Sequence, residues 1–493
     1  MFKRNLFAML LVLVLLMPMS AVCAENADPI TIHIYGIGAT LPEDDPVIPE
    51  LEKRLGINIV IDAAASGTTD EAGLMTRIAG GDIPDVFKVN DINSLSTDYK
   101  YGVLLNLRDY MDMMPHIAAA FQDTDWARLT FDGGIYGIPR RAEVNYMANY
   151  IRYDWLEKLG MECPTTFDEL YDLCAAIRDG DLDGNGQDDT YPISGMGITG
   201  REGTFNSFFT AYGVPQPCTL MIVDNEPVYT CTTEQFKMAL NEIRRFVDAG
   251  FVDPEFISNT SDSRLEKMAT GKVGMAYGGW ASYGKKAQQD TLTAVDPNAD
   301  WRMVDHFITT EYGTEGATKS AAGFSSVYCF SIDLADDPDK LAAALSIFDY
   351  TCHDEGDELM CYGIEGVHYI KDGDRIVKQD AMNQLGYGWA LQFTGRNDMV
   401  YCMTKFAECA DEIQTAANDV NVIYHYEELV QQPDNVNVAD LKAYEEEQIT
   451  QFIFGTRSMD EYDDFVKTLK DLYGLDEYLE AAKVQLTTLG YIQ

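Results

Sequence analysis

The chain has 493 residues, of which 46% are hydrophobic and 24% are charged, and its formal net charge at pH 7 is −44. That length exceeds one ordinary hydrophobic core, so two or more lobes are expected. The composition is typical of a globular chain. A negative field of this size repels nucleic acid and anionic lipid head groups, which excludes both as specific partners.

The first 24 residues have the pattern of an export signal. A basic start at Lys3 and Arg4 precedes an apolar run over residues 6–17, and small residues follow up to Ala24. No later apolar run is long enough to span a bilayer. We therefore expect an exported protein in an extracellular, cell-surface or periplasmic location. It is released after Ala24 or, as the alternative, anchored by a lipid on Cys23.

The next segment alternates between strand and helix patterns. The predicted elements are strands at residues 30–34, 57–61 and 85–89, and helices over 47–55 and 68–78. This β-α-β-α-β order predicts a parallel sheet with right-handed crossovers. Ligands gather at the carboxyl ends of such strands. Here those ends are residues 36–45, 63–69 and 90–91.

A second α/β unit is predicted to begin near Val144. It contains predicted helices opened by Thr166 with Glu169 and by Thr232 with Gln235. Later in the chain, the predicted elements are a strand at 323–332, a helix at 338–350 and a helical C-terminus with a Ser458–Glu461 capping box. Trp155 is predicted to be a core residue. The sequence has no repeat and no low-complexity linker, so short crossings are expected between the lobes.

The cysteines show no metal-site spacing. Without Cys23, nine remain, and none forms a CxxC pair. Cys218 and Cys231 flank a predicted hairpin and could form a disulfide across it. Isolated thiols are the alternative for most of the others.

Six stretches spread over nearly the whole chain resemble one known family. They are GGDIPDVFKV (80–89), GGIYGIPRR (133–141), IRYDWLEKLGMECPTTFDELYDLCAAI (151–177), GKVGMAYGGW (271–280), GIEGVHYIKDG (363–373) and FGTRSMDEYDDFVKTLKDLYGLDEYL (454–479). The resemblance is to the family 1 extracellular solute-binding proteins of bacterial ABC importers. Within that family, the chain is most similar to the branch for sugars and oligosaccharides, which includes alginate-binding and lipoprotein-type members.

This resemblance implies a periplasmic-binding-protein fold of type II, with two α/β lobes, a hinge, an inter-lobe cleft and a helical C-terminal region. The implied lobes are residues 28–143 with about 320–360, and residues 144–319 with about 361–493. The implied protein is a monomer without catalytic activity that captures a carbohydrate by hinge closure and hands it to ABC permease subunits. A secreted carbohydrate-active enzyme and a peptide-binding receptor on the same fold remain the alternatives.

A loop at residues 181–189 places oxygen atoms at alternate positions. Calcium needs six to eight oxygen ligands around a sharply turned backbone. The candidate ligands are Asp181, Asp183, Asn185, Gln187 through its main-chain carbonyl, and Asp189. The twelfth position is Pro192, so the loop is not an EF-hand. Alginate-binding relatives close a similar loop with an acid where this chain has Thr190. The alternative is a polar turn. No other cofactor is expected.

A sugar cleft needs flat aromatic surfaces and bidentate polar groups. Trp280, which follows a predicted strand and a Gly-Gly turn, is the best stacking candidate, and Trp389 is a second one for which a core position is equally compatible. The polar candidates are Arg140, Arg141, Glu143, Asn145 and Tyr146 on the first crossing, and Asn90 and Asp91 at the edge of the sheet.

Overall fold

The computed structural model describes residues 29–62, 71–141, 147–200, 202–279, 286–304, 308–321, 324–373, 375–395 and 421–493. The strands are β1 (Thr31–Tyr35), β2 (Asn58–Asp62), β3 (Val86–Val89), β4 (Thr130–Phe131), β5 (Gly134–Ile135), β6 (Ile138–Arg141), β7 (Met147–Arg152), β8 (Tyr191–Ser194), β9 (Leu220–Val223), β10 (Glu226–Tyr229), β11 (Val273–Gly279), β12 (Trp301–Val304), β13 (Thr309–Thr310), β14 (Gly313–Thr314), β15 (Ala317–Ser320), β16 (Phe324–Phe330), β17 (Tyr369–Asp372), β18 (Arg375–Lys378) and β19 (Val422–His425).

The helices follow the same chain order. They are α1 (Val47–Leu55), α2 (Glu71–Gly80), α3 (Ile92–Tyr101), α4 (Pro115–Ala120), α5 (Asp123–Arg128), α6 (Tyr153–Leu159), α7 (Phe167–Asp179), α8 (Asn206–Ala211), α9 (Glu234–Asp248), α10 (Ser261–Ala269), α11 (Lys286–Leu292), α12 (Pro338–Thr351), α13 (Asp354–Tyr362), α14 (Val438–Ile453), α15 (Tyr462–Tyr473) and α16 (Leu475–Thr488).

The first lobe is built on a five-stranded sheet with the order β2-β1-β3-β16-β6. Strand β1 is parallel to both β2 and β3, which confirms the parallel arrangement predicted from the sequence. Strand β16 comes from much later in the chain and lies antiparallel between β3 and β6. The chain therefore leaves this lobe after β6 and returns to it at β16.

The second lobe is built on a four-stranded sheet with the order β12-β7-β11-β8. Strand β11 lies in the middle, antiparallel to β7 and parallel to β8, and all seven of its residues are buried. A hairpin of β9 and β10 and the helices α9, α14, α15 and α16 pack together in the largest hydrophobic core. The predicted helical C-terminal region is thus part of the second lobe.

The hydrophobic core of the first lobe sets its boundary. It joins Ile34 and Leu51 to Phe348 of α12, and it also contains Leu391 and Phe393. The first lobe therefore reaches at least Phe393, which corrects the boundary predicted near residue 360. The sequence pattern could not show this, because the segment between α13 and Phe393 contains only the short strands β17 and β18 and two 3₁₀ turns, and its lobe is decided by its packing.

Most predicted helix ends are confirmed, and two caps differ. Helix α1 ends at Gly56, whose φ of 70° is left-handed, and Thr166 caps α7 by accepting from the Glu169 amide. Helix α9 is capped by Thr233 and not by Thr232, because Thr232 belongs to a preceding 3₁₀ turn. Ser458 likewise caps a 3₁₀ turn, so α15 begins only at Tyr462.

Three further observations concern the core and the surface. Trp155 is fully buried, as predicted. Cys218 and Cys231 lie on the two sides of the β9–β10 hairpin, but both are buried free thiols, so the disulfide considered from the sequence is absent. Within the described part of the chain, no helix combines the length and apolar character needed to cross a membrane.

Candidate functional site

The carboxyl ends of β1, β2, β3 and β6, the strands of the first lobe's sheet that run in the same direction, meet at one edge of that sheet. Strands β2 and β3 end at Asp62 and Val89, so Asn90 follows directly at that edge. Strand β6 ends at Arg141, whose register partner on β16 is Phe324. In α/β sheets ligands bind beyond such strand ends. This edge is therefore the first wall of the candidate cleft.

The first crossing, residues 142–146, limits the distance between the sheets of the two lobes. Strand β6 ends at Arg141 and β7 begins at Met147, so five residues connect the two sheets. Five residues span at most about 20 Å when they are extended. Met147 pairs with Gly279, the last residue of β11. The edge of the second sheet where β11 ends therefore lies close to the first wall.

Four of the predicted cleft residues lie outside the described part of the chain. They are Glu143, Asn145, Tyr146 and Trp280. Their described neighbours are Arg141 at the edge of the first sheet, and Met147 and Gly279 at the edge of the second sheet. Ligand contact by these four residues stays a prediction.

Arg140 and Arg141, which the sequence predicts on the first crossing, are instead the last two residues of β6 and are held by the first lobe. Arg140 is only 7% exposed, and its guanidinium donates to the main-chain carbonyls of Gln392 at 2.9 Å and of Trp389 at 3.1 Å. The guanidinium of Arg141 lies over the Phe121 ring, 5.4 Å from its centroid. These contacts give both arginines a structural role that the sequence did not reveal.

The neighbouring residues Asn90 and Asp91 differ in their surroundings. Asp91 is the N-cap of α3, and its carboxylate accepts from the amides of Asn93 at 2.8 Å and Ser94 at 3.0 Å. Asn90 is exposed at the end of β3. Trp389 is half-buried and packs against the core of the first lobe. Asn90 is therefore the one of these three side chains that is presented to solvent.

A paired charge lies at the end of β2. The guanidinium of Arg77 lies 2.8 Å from an Asp62 oxygen and 3.1 Å from an Asp82 oxygen, and it also lies over the Tyr35 ring. The hydrogen bond to Asp62 is the main cause of a raised pKa at Arg77. Asp62 at the edge of the sheet is thus already paired with a guanidinium of the protein.

The edge of the second lobe carries a polar network that the sequence did not reveal. Ser194, the last residue of β8, donates to Asp253 at 2.7 Å, and Asp253 also accepts from Lys267 at 2.7 Å and from Asn259 at 3.0 Å. Burial opposes ionisation of Asp253, but these three hydrogen bonds outweigh it and lower the pKa of its carboxyl. The network fixes the loop that follows β8.

A second ion pair holds the adjacent loop of the same lobe. Arg264 is 1% exposed, and its guanidinium donates to Glu202 at 2.7 Å and to the Tyr277 carbonyl at 3.1 Å. Tyr277 lies two residues before Gly279 in β11. The pair therefore connects α10 with two segments at the edge of the second sheet.

Direct contacts between the lobes lie beside the cleft. Arg128 of α5 donates to the Tyr491 hydroxyl and to the Ala321 carbonyl, and Tyr491 donates to the same carbonyl at 3.0 Å. Farther out, Lys100 of α3 lies 2.9 Å from an Asp434 oxygen. Ala321 lies between β15 and β16, where the chain crosses back to the first lobe. The contacts of Arg128 and Tyr491 therefore lie at the second crossing.

The predicted metal loop is sharply turned. Gly184 and Gly186 have left-handed φ values of 72° and 73°. The side-chain Nδ2 atom of Asn185 donates to an Asp183 oxygen at 2.7 Å and to an Asp189 oxygen at 2.9 Å. In addition, Asp181 accepts from the Gly186 amide at 3.1 Å. The loop thus encloses an amide nitrogen between two carboxylates.

The charges in this loop are crowded. Burial is the main cause of a raised pKa at Asp183, and the nearby carboxylates of Asp189 and Asp181 add to it. Among the described residues, no three His, Cys, Asp or Glu side chains form a group that could hold a metal ion. A hard cation would relieve the crowding, but the loop would need the Asn185 oxygen as well as the carboxylates to bind it.

The two lobes and the edges described above define a two-lobed α/β fold, and comparison with known sequences identifies its family. Residues 47–361, more than half of the chain, match the family described as bacterial extracellular solute-binding protein. The chain belongs to this family. The resemblance predicted from the sequence is therefore confirmed.

Curated relatives are similar to the chain over part of their length. The polygalacturonan/rhamnogalacturonan-binding protein YtcQ of Bacillus subtilis is 25% identical over 342 residues, covering 68% of this chain and 65% of YtcQ. The fructooligosaccharide ABC transporter substrate-binding protein FusA of Streptococcus pneumoniae is 28% identical over 255 residues, covering 48% of this chain and 46% of FusA. The chain thus spans less than two thirds of both relatives.

Solved structures share the whole fold. The alginate-binding protein AlgQ2 without calcium ion has a TM-score of 0.73 at 17% identity, covering 94% of this chain and 99% of AlgQ2. FusA of S. pneumoniae in complex with kestose has a TM-score of 0.72 at 20% identity, with the same coverage. These matches confirm the periplasmic-binding-protein fold of type II with its two α/β lobes.

Proposed function

We propose that the protein is the solute-binding component of an ABC importer and that it captures an oligosaccharide in the cleft between its lobes. The observation that carries this proposal is the crossing of only five residues between β6 and β7, which limits the distance between the edge where β6 ends and the edge where β11 ends. Family membership and the names of the two curated relatives, which are carbohydrate-binding proteins, support it.

The mechanism follows from the division into two lobes. A solute that contacts both edges binds the closed arrangement better than the open one, so it shifts the population towards closure. The segments that connect the lobes absorb this motion. The captured solute is then delivered, chemically unchanged, to permease subunits in the membrane.

Recognition is proposed to combine stacking with polar contacts. Trp280 follows Gly279 at the end of β11 and supplies the aromatic surface, while Asn90 supplies a polar group from the first lobe. Glu143, Asn145 and Tyr146 of the crossing complete the proposed site. Arg140, Arg141, Asp91 and Trp389 support this site through the contacts described above.

Binding and scattering together test the proposal. The mature protein is screened against oligosaccharides by melting shift, and small-angle scattering is recorded with and without a ligand that binds. A raised melting temperature and a smaller radius of gyration are expected. A protein that is stabilised by a peptide pool and by no glycan would instead be the peptide receptor considered from the sequence.

The family consists of binding proteins, and absence of catalysis is part of the proposal. Long incubation with oligosaccharides followed by thin-layer chromatography tests it. Unchanged oligosaccharides are expected, whereas cleavage products would indicate the carbohydrate-active enzyme.

Calcium is proposed as a structural ion of the loop at residues 181–189. The oxygens that would hold it belong to Asp181, Asp183, Asn185 and Asp189, with the Gln187 carbonyl as a further ligand. Support comes from the crowded carboxylates and the left-handed glycines of the loop. The ion would neutralise these carboxylates and fix the connection between α7 and β8.

Export is proposed to use the N-terminal signal, with release after Ala24 or a lipid on Cys23. These residues lie outside the described part of the chain. Mass spectrometry of the mature N-terminus distinguishes a free amino terminus at Glu25 from a lipid-modified cysteine.

A further inference from the structure

We infer that Arg128 and Tyr491 are positioning residues that hold the two lobes together at the pivot of their movement. This inference rests on the proposed function in one respect, namely that the lobes move relative to each other. It goes beyond that function because neither residue belongs to the proposed ligand site. The segment that follows α16 thereby becomes part of the hinge.

Three segments that are far apart in the chain meet at one main-chain oxygen. The Ala321 carbonyl accepts from the guanidinium of Arg128 at 3.3 Å and from the hydroxyl of Tyr491 at 3.0 Å. The same guanidinium donates to the Tyr491 hydroxyl and lies over the Tyr491 ring, 5.8 Å from its centroid. We call these three residues the clasp. The clasp ties α5 of the first lobe to the second lobe and to the segment that returns between them.

The clasp is fixed within both lobes. Arg128 is only 6% exposed and lies 3.5 Å from an oxygen of Asp125 in the same helix. Tyr491 packs against the core of the second lobe, with its ring centroid 5.5 Å from that of Tyr426. A buried guanidinium that loses its hydrogen-bond acceptors is strongly disfavoured. Separating the lobes at this point would remove two acceptors from Arg128, so we expect the clasp to stay intact in the open and the closed arrangement.

A second attachment between the same lobes supports the clasp. The Gln432 amide donates to the side-chain oxygen of Asn93 in α3 at 3.0 Å. Next to it, Gln431 donates its amide to the Gln485 side chain of α16 and accepts from that side chain, both at 2.9 Å. Residues 431–432 therefore connect a helix of the first lobe with the helix that precedes Tyr491.

A pivot that the protein itself holds has a consequence for ligand capture. A solute that binds between two lobes must order both of them, and a fixed pivot reduces the entropy that this ordering costs. Removing the Tyr491 hydroxyl should therefore widen the range of lobe orientations in the ligand-free protein. The affinity for a captured solute should fall as a result, without the loss of any contact to the solute.

Small-angle scattering and hydrogen exchange of the ligand-free protein test the inference. Tyr491→Phe keeps the ring and removes only the hydroxyl. We expect a larger radius of gyration and, because one hydrogen bond of the clasp is lost, about fivefold faster exchange of the Ala321 amide. That amide donates to the His425 carbonyl at 2.8 Å. Arg128→Lys disrupts the clasp from the first lobe and should change both quantities in the same direction.

Tyr462→Phe is the matched control. The Tyr462 hydroxyl is buried and donates to the Cys231 carbonyl at 2.6 Å, within the second lobe. Its removal should lower stability in urea and leave both the radius of gyration and the exchange of the Ala321 amide as in wild type.

The outcomes separate the inference from the proposed function. Wild-type scattering and exchange in Tyr491→Phe, or equal changes in Tyr462→Phe, overturn the inference and leave oligosaccharide capture intact. A protein that binds no glycan in the melting-shift screen overturns the proposed function, and the measurements without ligand still decide the role of the clasp. Changes confined to Tyr491→Phe and Arg128→Lys support that role.

Discussion

The Nδ1 atom of His425 lies 2.9 Å from an oxygen of Glu427, and both side chains are nearly buried beside the second crossing. The His425 carbonyl accepts from the Ala321 amide at 2.8 Å. The pair therefore lies where the chain returns from the second lobe to the first. Glu428 and Lys442 are the other charged groups that act on this histidine.

This pair predicts a pH-dependent stability. Burial opposes protonation of His425, but Glu427 outweighs it and raises the pKa above the ordinary 6.5. The stabilisation is therefore fully present below pH 6.5 and is lost as pH rises through the raised pKa. We expect His425→Gln to lower the free energy of unfolding by about 2 kcal/mol at low pH and by less at high pH.

Urea denaturation of wild type and variant between pH 5.5 and 8.5 measures this difference. His33→Gln, which changes a histidine on β1 far from the crossing, is the matched control. A difference between wild type and His425→Gln that does not change with pH would contradict the prediction.

A second prediction concerns Glu445, a fully buried residue of α14. It accepts from the Cys218 amide at 3.0 Å, and burial raises the pKa of its carboxyl. The protonated carboxyl of Glu445 is the form that the folded protein favours. The stabilisation it contributes is fully present below pH 4.5, the ordinary pKa, and is lost as pH rises through the raised pKa. Glu445→Gln keeps the acceptor and removes the ionisation, so we expect it to be more stable than wild type by about 1 kcal/mol at neutral pH.

Chemical denaturation from pH 4 to pH 7 checks this effect, with the exposed Glu447→Gln as control. The gain in stability is expected to grow with pH only for Glu445→Gln. A variant that is less stable than wild type at pH 7 would show that the ionised carboxylate is needed.

The calcium loop gives a third prediction. Calcium at a concentration of 100 times its Kd is expected to stabilise the protein by about 2.7 kcal/mol. Asp183→Asn removes one ligand and one crowded charge, so it should lose this response and be no less stable than wild type without calcium. Asp336→Asn, an exposed residue of the first lobe, should respond to calcium like wild type.

Melting temperatures of chelator-treated protein, measured with increasing calcium, provide the test. A wild-type protein that does not respond to millimolar calcium would rule out the ion and leave the loop as a polar turn.

The fourth prediction separates the roles of two adjacent residues. Asp91→Ala removes the cap of α3, so it should cost about 1 kcal/mol of stability and leave ligand affinity nearly unchanged. Asn90→Ala should leave stability nearly unchanged and weaken binding about tenfold through loss of a hydrogen bond. Calorimetric titration with the ligand found in the screen, together with urea denaturation, measures both quantities. Equal affinities of Asn90→Ala and wild type would remove Asn90 from the proposed site.

The amino-acid sequence by itself determined the elements and the parallel order of the first three strands. Strand and helix patterns depend on local periodicity, and Gly56 and Thr166 act through their own backbone and side chains. The sequence predicts the cap of α9 one residue too early, because the 3₁₀ turn before the helix depends on packing. The six family-like stretches also identified the family and the two-lobed fold correctly.

Only the tertiary structure decided which polar side chains already form hydrogen bonds or ion pairs within the protein. Arg140 follows a pattern expected of a cleft residue, yet its guanidinium is used by carbonyls of Gln392 and Trp389, about 250 residues away in the chain. The Ser194–Asp253 network and the extension of the first lobe to Phe393 likewise depend on contacts between distant segments. Periodicity is a local property, whereas the partner of a charge depends on how distant segments pack, and the sequence pattern does not encode that packing directly.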